Sequence, residues 1–77
     1  ESILLETTER GISIGNKYEN LLEKYNEPNF TILSSPDDIN KYRTCIYSYE
    51  DKQLLFSIDN KMMITSIIMQ LENLYKY

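Results

Sequence analysis

A single segment of this chain has helical periodicity, and it is too short to stand alone. Tyr18, Leu21, Leu22 and Tyr25 fall at i, i+3, i+4 and i+7 and make one apolar stripe. Lys17, Asn20, Glu23 and Lys24 fill the opposite side. Asn16 has the short polar side chain of an N-cap, and Glu19, three residues on, suits a capping box. Asn26 fits the positive-φ position that often ends a helix, and Pro28 blocks its continuation. The pattern predicts a helix over about 17–25. A helix of this length is not stable in water by itself. Its stripe must pack on something, and the rest of the chain offers strands.

The second half reads as a β-meander of three strands at about 41–49, 53–58 and 62–71. The first is rich in Tyr, Thr and Ile, which favour strands. Glu50, Asp51 and Lys52 make a turn, and Asp59, Asn60 and Lys61 a tight hairpin in which Asn60 tolerates positive φ. Leu54, Phe56 and Ile58 alternate onto one face, expected to meet the helix. In the first strand, Cys45, Tyr47 and Tyr49 compete with Thr44 and Ile46 for that face. In the third, both alternations are largely apolar, which implies cover on both sides. The covering element is expected to be the N-terminal segment, a further domain or a partner.

Before the helix, residues 3–8 can form an extra N-terminal strand, ended by Arg10 and Gly11, with a brief extended stretch at 12–14. Gly11 and Gly15 are expected where the backbone needs a conformation that a Cβ disfavours. After the helix, residues 30–33 suit a short strand. Ser34, Ser35, Pro36, Asp37 and Asp38 are turn chemistry, with Ser35 placed to cap one helical turn over 37–39. The whole is α+β: one short helix on an antiparallel meander, in a single small domain over 1–77. The chain starts at Glu1 and ends in a polar tail with Tyr75 and Tyr77, which reads as a piece of a longer or processed protein.

Composition removes several function classes. The chain has no histidine, so the commonest general base and metal ligand is missing. Cys45 is the only cysteine, which rules out an intrachain disulfide and leaves a nucleophile with no imidazole to activate it. A small buried strand residue is its expected role. Adjacent acids such as Asp37 and Asp38 point apart and make poor acid–base pairs. No calcium loop, phosphate-binding glycine loop or G-x-S-x-G turn is present. The reading is therefore no enzyme, no cofactor and no metal. The net charge is −4, and the eight basic residues are scattered singly. That disfavours nucleic acid and anionic membrane surfaces as partners. The longest apolar run, Ile67, Ile68 and Met69, is far short of a transmembrane segment.

The order of motifs carries a resemblance. The run T-T-E-R-G-I-S-I-G-N (7–16) leads into the helix, which closes with Y-N-E-P (25–28). Then follow I-Y-S-Y (46–49), L-L-F-S-I-D-N-K (54–61) and I-T-S-I (64–67). This layout resembles small modules of bacterial envelope and secreted proteins, similar to repeats of the beta-lactamase inhibitor protein and to small outer-membrane assembly lipoproteins. Asn26 stands where that pattern has glycine. The resemblance implies a helix on an antiparallel sheet, an extracytoplasmic setting and a binding or structural role. It carries no functional residue with it.

The seven tyrosines are the remaining departure from an ordinary composition. Tyr18 and Tyr25 belong to the helix stripe. Tyr42, Tyr47 and Tyr49 are candidates for a protein interface, because tyrosine is apolar at one end and wet at the other. The expectation is a non-enzymatic protein-interaction or structural module of an envelope or secreted protein, with a protein partner, a neighbouring domain or a homodimer mate. Its rivals are an acidic inhibitor or immunity-type protein steered onto a basic cleft, and a small-ligand carrier with a Tyr- and Met-lined pocket between helix and sheet.

Overall fold

The computed structural model describes residues 2–33, 42–49 and 51–71. Expectations for residues 34–41, Glu50 and the tail with Tyr75 and Tyr77 lie outside the described residues. The elements are β1 (Ser2–Leu5), α1 (Tyr18–Tyr25), β2 (Phe30–Leu33), β3 (Arg43–Ser48), β4 (Lys52–Ile58) and β5 (Ile64–Leu71). The strands form one sheet in the order β1-β5-β4-β3-β2. Every pairing is antiparallel. The expected α+β architecture is thus present, with β3, β4 and β5 as the meander and β1 and β2 added at its two edges.

This order explains where the helix must go. β1 and β2 lie at opposite edges and run in the same direction. The chain between them has to cross the whole sheet, and α1 lies on that crossing. Leu21 and Tyr25 are its buried residues. They join one core with Ile12, Cys45, Tyr47, Leu54, Phe56, Ile58, Ile64 and Ile67. Leu54, Phe56 and Ile58 therefore face the helix as their alternation requires. In β3 the inner face goes to Cys45 and Tyr47, which settles the competition with Thr44 and Ile46.

The double apolar pattern of β5 has a local cause. The pairing of β4 with β5 shifts between Ser57 and Ile58: Ser57 pairs with Ser66, but Ile58 pairs with Ile64. Thr65 is the extra residue of this bulge. Its hydroxyl donates to the Ser57 carbonyl at 3.2 Å. A bulge flips the parity of the strand beyond it, so Ile64 and Ile67 both reach the core. The N-terminal segment does not cover a face of β5. It pairs beside it, edge to edge, with Leu4 opposite Ile68.

The start of the helix departs from its sequence-based expectation. Lys17, not Asn16, stands at the N-cap position, and no side chain caps the helix. The first helical donor, Tyr18 N–H, is satisfied from across the fold by the Met62 carbonyl at 2.8 Å. Asn16 works one turn earlier: its Oδ1 accepts from Ser13 N–H at 2.8 Å. Its carbonyl accepts from Ile64 N–H at 2.9 Å, and Gly15 N–H donates to the Ile64 carbonyl at 2.8 Å. The chain entering the helix is thereby tied to the start of β5. Gly15 (φ 97°) supplies the positive φ that this approach needs.

The β4–β5 turn is organised by Asp59. One oxygen of its carboxylate accepts from both Lys61 N–H and Met63 N–H at 2.9 Å. The positive φ falls at Met62 (63°), not at Asn60. The Asp59 carboxylate holds the N–H groups of Lys61 and Met63 on either side of Met62, and the left-handed residue falls between them. At the helix end, Asn26 has the expected positive φ of 66°, but its ψ of −160° lies outside the left-handed helical well. That region belongs to glycine and costs another residue about 1–3 kcal/mol. Asn26→Gly is therefore expected to stabilise the fold by about 1 kcal/mol, the strain relieved less the chain entropy glycine adds. A rise in urea midpoint at unchanged slope would show it.

Candidate protein-interaction face

The centre of the helix-side face of the sheet is committed to the core. Tyr25, Tyr47 and Phe56 form a triangle of rings with centroids 5.4, 5.6 and 5.6 Å apart. Tyr47 and Phe56 meet edge to face, at 89°. These separations and tilts suit the aromatic quadrupole. The Tyr47 hydroxyl donates to the Asn26 carbonyl at 2.7 Å, which ties the end of the helix to the middle of β3. Tyr47 is 3% exposed.

The three candidate tyrosines therefore separate. Tyr47 is a core residue, and its expected place in an interface is corrected: both its ring and its hydroxyl are occupied. Tyr49 is half-buried and packs against the core, with the Lys52 ammonium 5.9 Å from its ring. Tyr42 is exposed, at the other end of β3 from Tyr49. They do not form one patch. Burial raises the phenol pKa of Tyr47, Tyr18 and Tyr49. It also pushes the Cys45 thiol up. A fully buried thiol held in its protonated form is inert.

The opposite face of the sheet is where an unexpected pattern lies. The register aligns Leu4 with Ile68, Ile68 with Leu55, Leu55 with Ile46 and Ile46 with Phe30. Each of the five strands thus contributes one large apolar side chain to a single row across the sheet. Leu4 is 78% and Phe30 60% exposed, and the three between them are half-buried. None of the five belongs to the core or packs against it. On one side the row is flanked by Ser2, Gln70, Gln53 and Ser48, and on the other by Ser66, Ser57, Thr44 and Ile32.

This outer face has no charge among the described strand residues. Arg43 and Lys52 are the charged residues of the strands, and both alternate onto the helix side. The Arg43 guanidinium lies 5.3 Å over the Tyr18 ring, and Lys52 lies by Tyr49. Glu6, just past the end of β1, is the carboxylate that comes nearest in sequence. No tyrosine takes part in the row. Leu55 stands at an outward position by its strand's alternation, and the sequence left the side of Ile46 open; only the structure turns Ile46 outward and brings both into line with Leu4 and Phe30.

A second feature lies between the first loop, the helix end and the sheet. A cleft of about 250 Å³ is lined by Leu5, Thr8, Tyr25, Leu54, Met69 and Lys52, among others. Next to it, Arg10 stacks 4.7 Å over the Tyr25 ring and donates through Nη1 to the Lys24 carbonyl at 3.0 Å. The arrangement is an apolar floor whose rim carries two cations, Arg10 and Lys52, and one carboxylate, Glu9.

Among the described residues no group of three or more His, Cys, Asp or Glu side chains is placed to hold a metal ion. No helix among them is long and apolar enough to cross a membrane. No family model, no curated protein and no solved structure matches the chain.

The buried phenols and thiol make stability depend on alkaline pH. A group whose pKa is raised by folding keeps its proton better in the folded state. Its stabilising contribution is full below the unfolded pKa and is lost as pH climbs through the folded one. Stability is therefore expected to fall above the ordinary range of thiols and phenols, about pH 9 to 10. Tyr47→Phe should lower the urea midpoint at neutral pH by about 1 kcal/mol equivalent, yet make the alkaline fall shallower. Equilibrium unfolding from pH 7 to 11 separates the two effects.

Proposed function

We propose that this chain is a non-enzymatic protein-interaction or structural module of a bacterial envelope or secreted protein, and that the outer face of its sheet is the contact surface. The observation that carries the reading is the apolar row Leu4–Ile68–Leu55–Ile46–Phe30 on an uncharged face. A contiguous exposed apolar patch on a small domain marks a contact site. The row runs across the middle of the face between flanks that are uncharged and, apart from Ile32, polar, and a charge-depleted apolar centre is the anatomy of an interface core. The extracytoplasmic setting rests on the resemblance of residues 7–16, 25–28 and 54–61. The inhibitor or immunity-type reading draws on the net charge of −4. It gains nothing from this face, because an uncharged surface does not steer a basic partner.

The test is a photo-crosslinking residue at position 46 in cells that make the protein. A discrete adduct is expected, of whatever mass the occupant has, and Leu55→Lys should abolish it while leaving circular dichroism unchanged. Failure to form any adduct would remove the reading.

A second reading is favoured by the cleft. A small-ligand carrier needs an apolar pocket with a few polar groups at its mouth. The floor of Leu5, Leu54 and Met69, with Lys52 and Arg10 outnumbering the one carboxylate of Glu9 at the mouth, fits an apolar molecule with an anionic end. Medium-chain fatty acids and aromatic carboxylates are the probes. A rise in melting temperature that grows with ligand concentration and is lost in Lys52→Ala supports it. Flat melting curves across both classes refute it.

A further inference from the structure

We infer that the occupant of the outer face is a second copy of this chain, packed sheet to sheet with the helices outward. The inference rests on the reading of that face as a contact surface and names its partner.

The first ground is charge. The chain carries 12 acidic and 8 basic residues, so two copies repel each other in most orientations. The outer face is the surface from which the described strand charges are excluded. Arg43 and Lys52 sit on the far side of the sheet, and Glu19 and Glu23 lie on the helix. Face-to-face packing therefore keeps these charges apart and solvated. A partner that brought a charge against the row would bury it without a counter-ion, which is costly.

The second ground is self-complementarity. A two-fold axis lying along the row sets Leu55 against Leu55 and Ile68 against Ile68. The same axis exchanges the two flanking rows. The amides of Gln70 and Gln53 then face the short hydroxyls of Ser66 and Ser57 of the other copy. Long side chains meet short ones, and each amide finds groups able to donate and accept. This is the isologous arrangement that closes at two copies. Facing sheets pack about 10 Å apart, rotated by about 30°, so the centre of the row makes the tightest contact.

The third ground is size. Five strands about 4.8 Å apart and roughly 20 Å long give a footprint of about 20 Å by 20 Å. That is about 400 Å², roughly half of the ~800 Å² per partner that a standard stable interface buries, and it belongs with weak, transient contacts. The expected dimer is weak, with a dissociation constant in the micromolar range or above.

Sedimentation velocity on the chain from about 10 µM to about 1 mM brackets that range. A sedimentation coefficient that rises with concentration to the dimer value, and stays at the monomer value in Leu55→Lys with unchanged circular dichroism, supports the inference. Leu55→Cys treated with a short bismaleimide provides a second route that adds no charge. It should give covalent dimer, whereas Lys61→Cys in the exposed β4–β5 turn should not. The native thiol of Cys45 is buried and does not compete.

A monomer throughout the series overturns the inference. So does a dimer that survives Leu55→Lys, because that dimer is joined elsewhere than at the outer face. In the monomer case an adduct at position 46 with a different protein leaves the contact surface standing. Loss of the adduct as well removes both.

Discussion

The meeting of Tyr25, Tyr47 and Phe56 under the end of the helix is the contact on which the other features depend. It brings one residue each from α1, β3 and β4 within 6 Å ring to ring. A domain this small has little core to spare, and these rings are among its largest buried surfaces. The Tyr47 hydroxyl then fixes the helix end by donating a hydrogen bond to the Asn26 carbonyl. Arg10, stacked on the outer side of Tyr25, ties the first loop to the same point. One aromatic cluster thus sets the height and direction of the helix over the sheet. It also decides that β3 turns Tyr47 inward, and with it Ile46 outward.

That choice produces the apolar outer face proposed as the contact surface. A single helix covers one face of a five-stranded sheet, and nothing among the described residues covers the other. Antiparallel sheets commonly leave one face to water, but that face is then polar. Here each strand instead places an aliphatic or aromatic side chain outward at the same level. The row follows from two separate constraints: strand alternation, which puts Leu55 and Ile46 opposite the core, and register, which lines them up. The bulge at Thr65 matters to both, because it lets Ile64 and Ile67 share the core while Ile68 joins the row.

Much of the fold was legible in the residues. The stripe of α1, the alternation of Leu54, Phe56 and Ile58, the short strand at Phe30–Leu33 and the positive φ of Gly11, Gly15 and Asn26 all follow from local pattern. The candidate site was less legible. Tyrosine content pointed to Tyr42, Tyr47 and Tyr49, but tyrosine is equally at home in a core when its hydroxyl finds a partner. Tyr47 found one. The surface that remains open is built of Leu, Ile and Phe, whose outward positions look in sequence like further core residues.

What the sequence by itself determined is the list of elements, because helix and strand periodicity are local properties of spacing. It also determined the absence of histidine chemistry and the isolation of Cys45. Tertiary structure alone decided how the helix begins and which side chains stand together. Tyr18 N–H is satisfied by Met62, not by Asn16, since a backbone carbonyl from the β4–β5 turn lies within 2.8 Å. Leu4 and Phe30, far apart in the chain and at opposite edges of the sheet, share one row because four successive registers agree. Register is a relation between strands, and no single strand's sequence contains it.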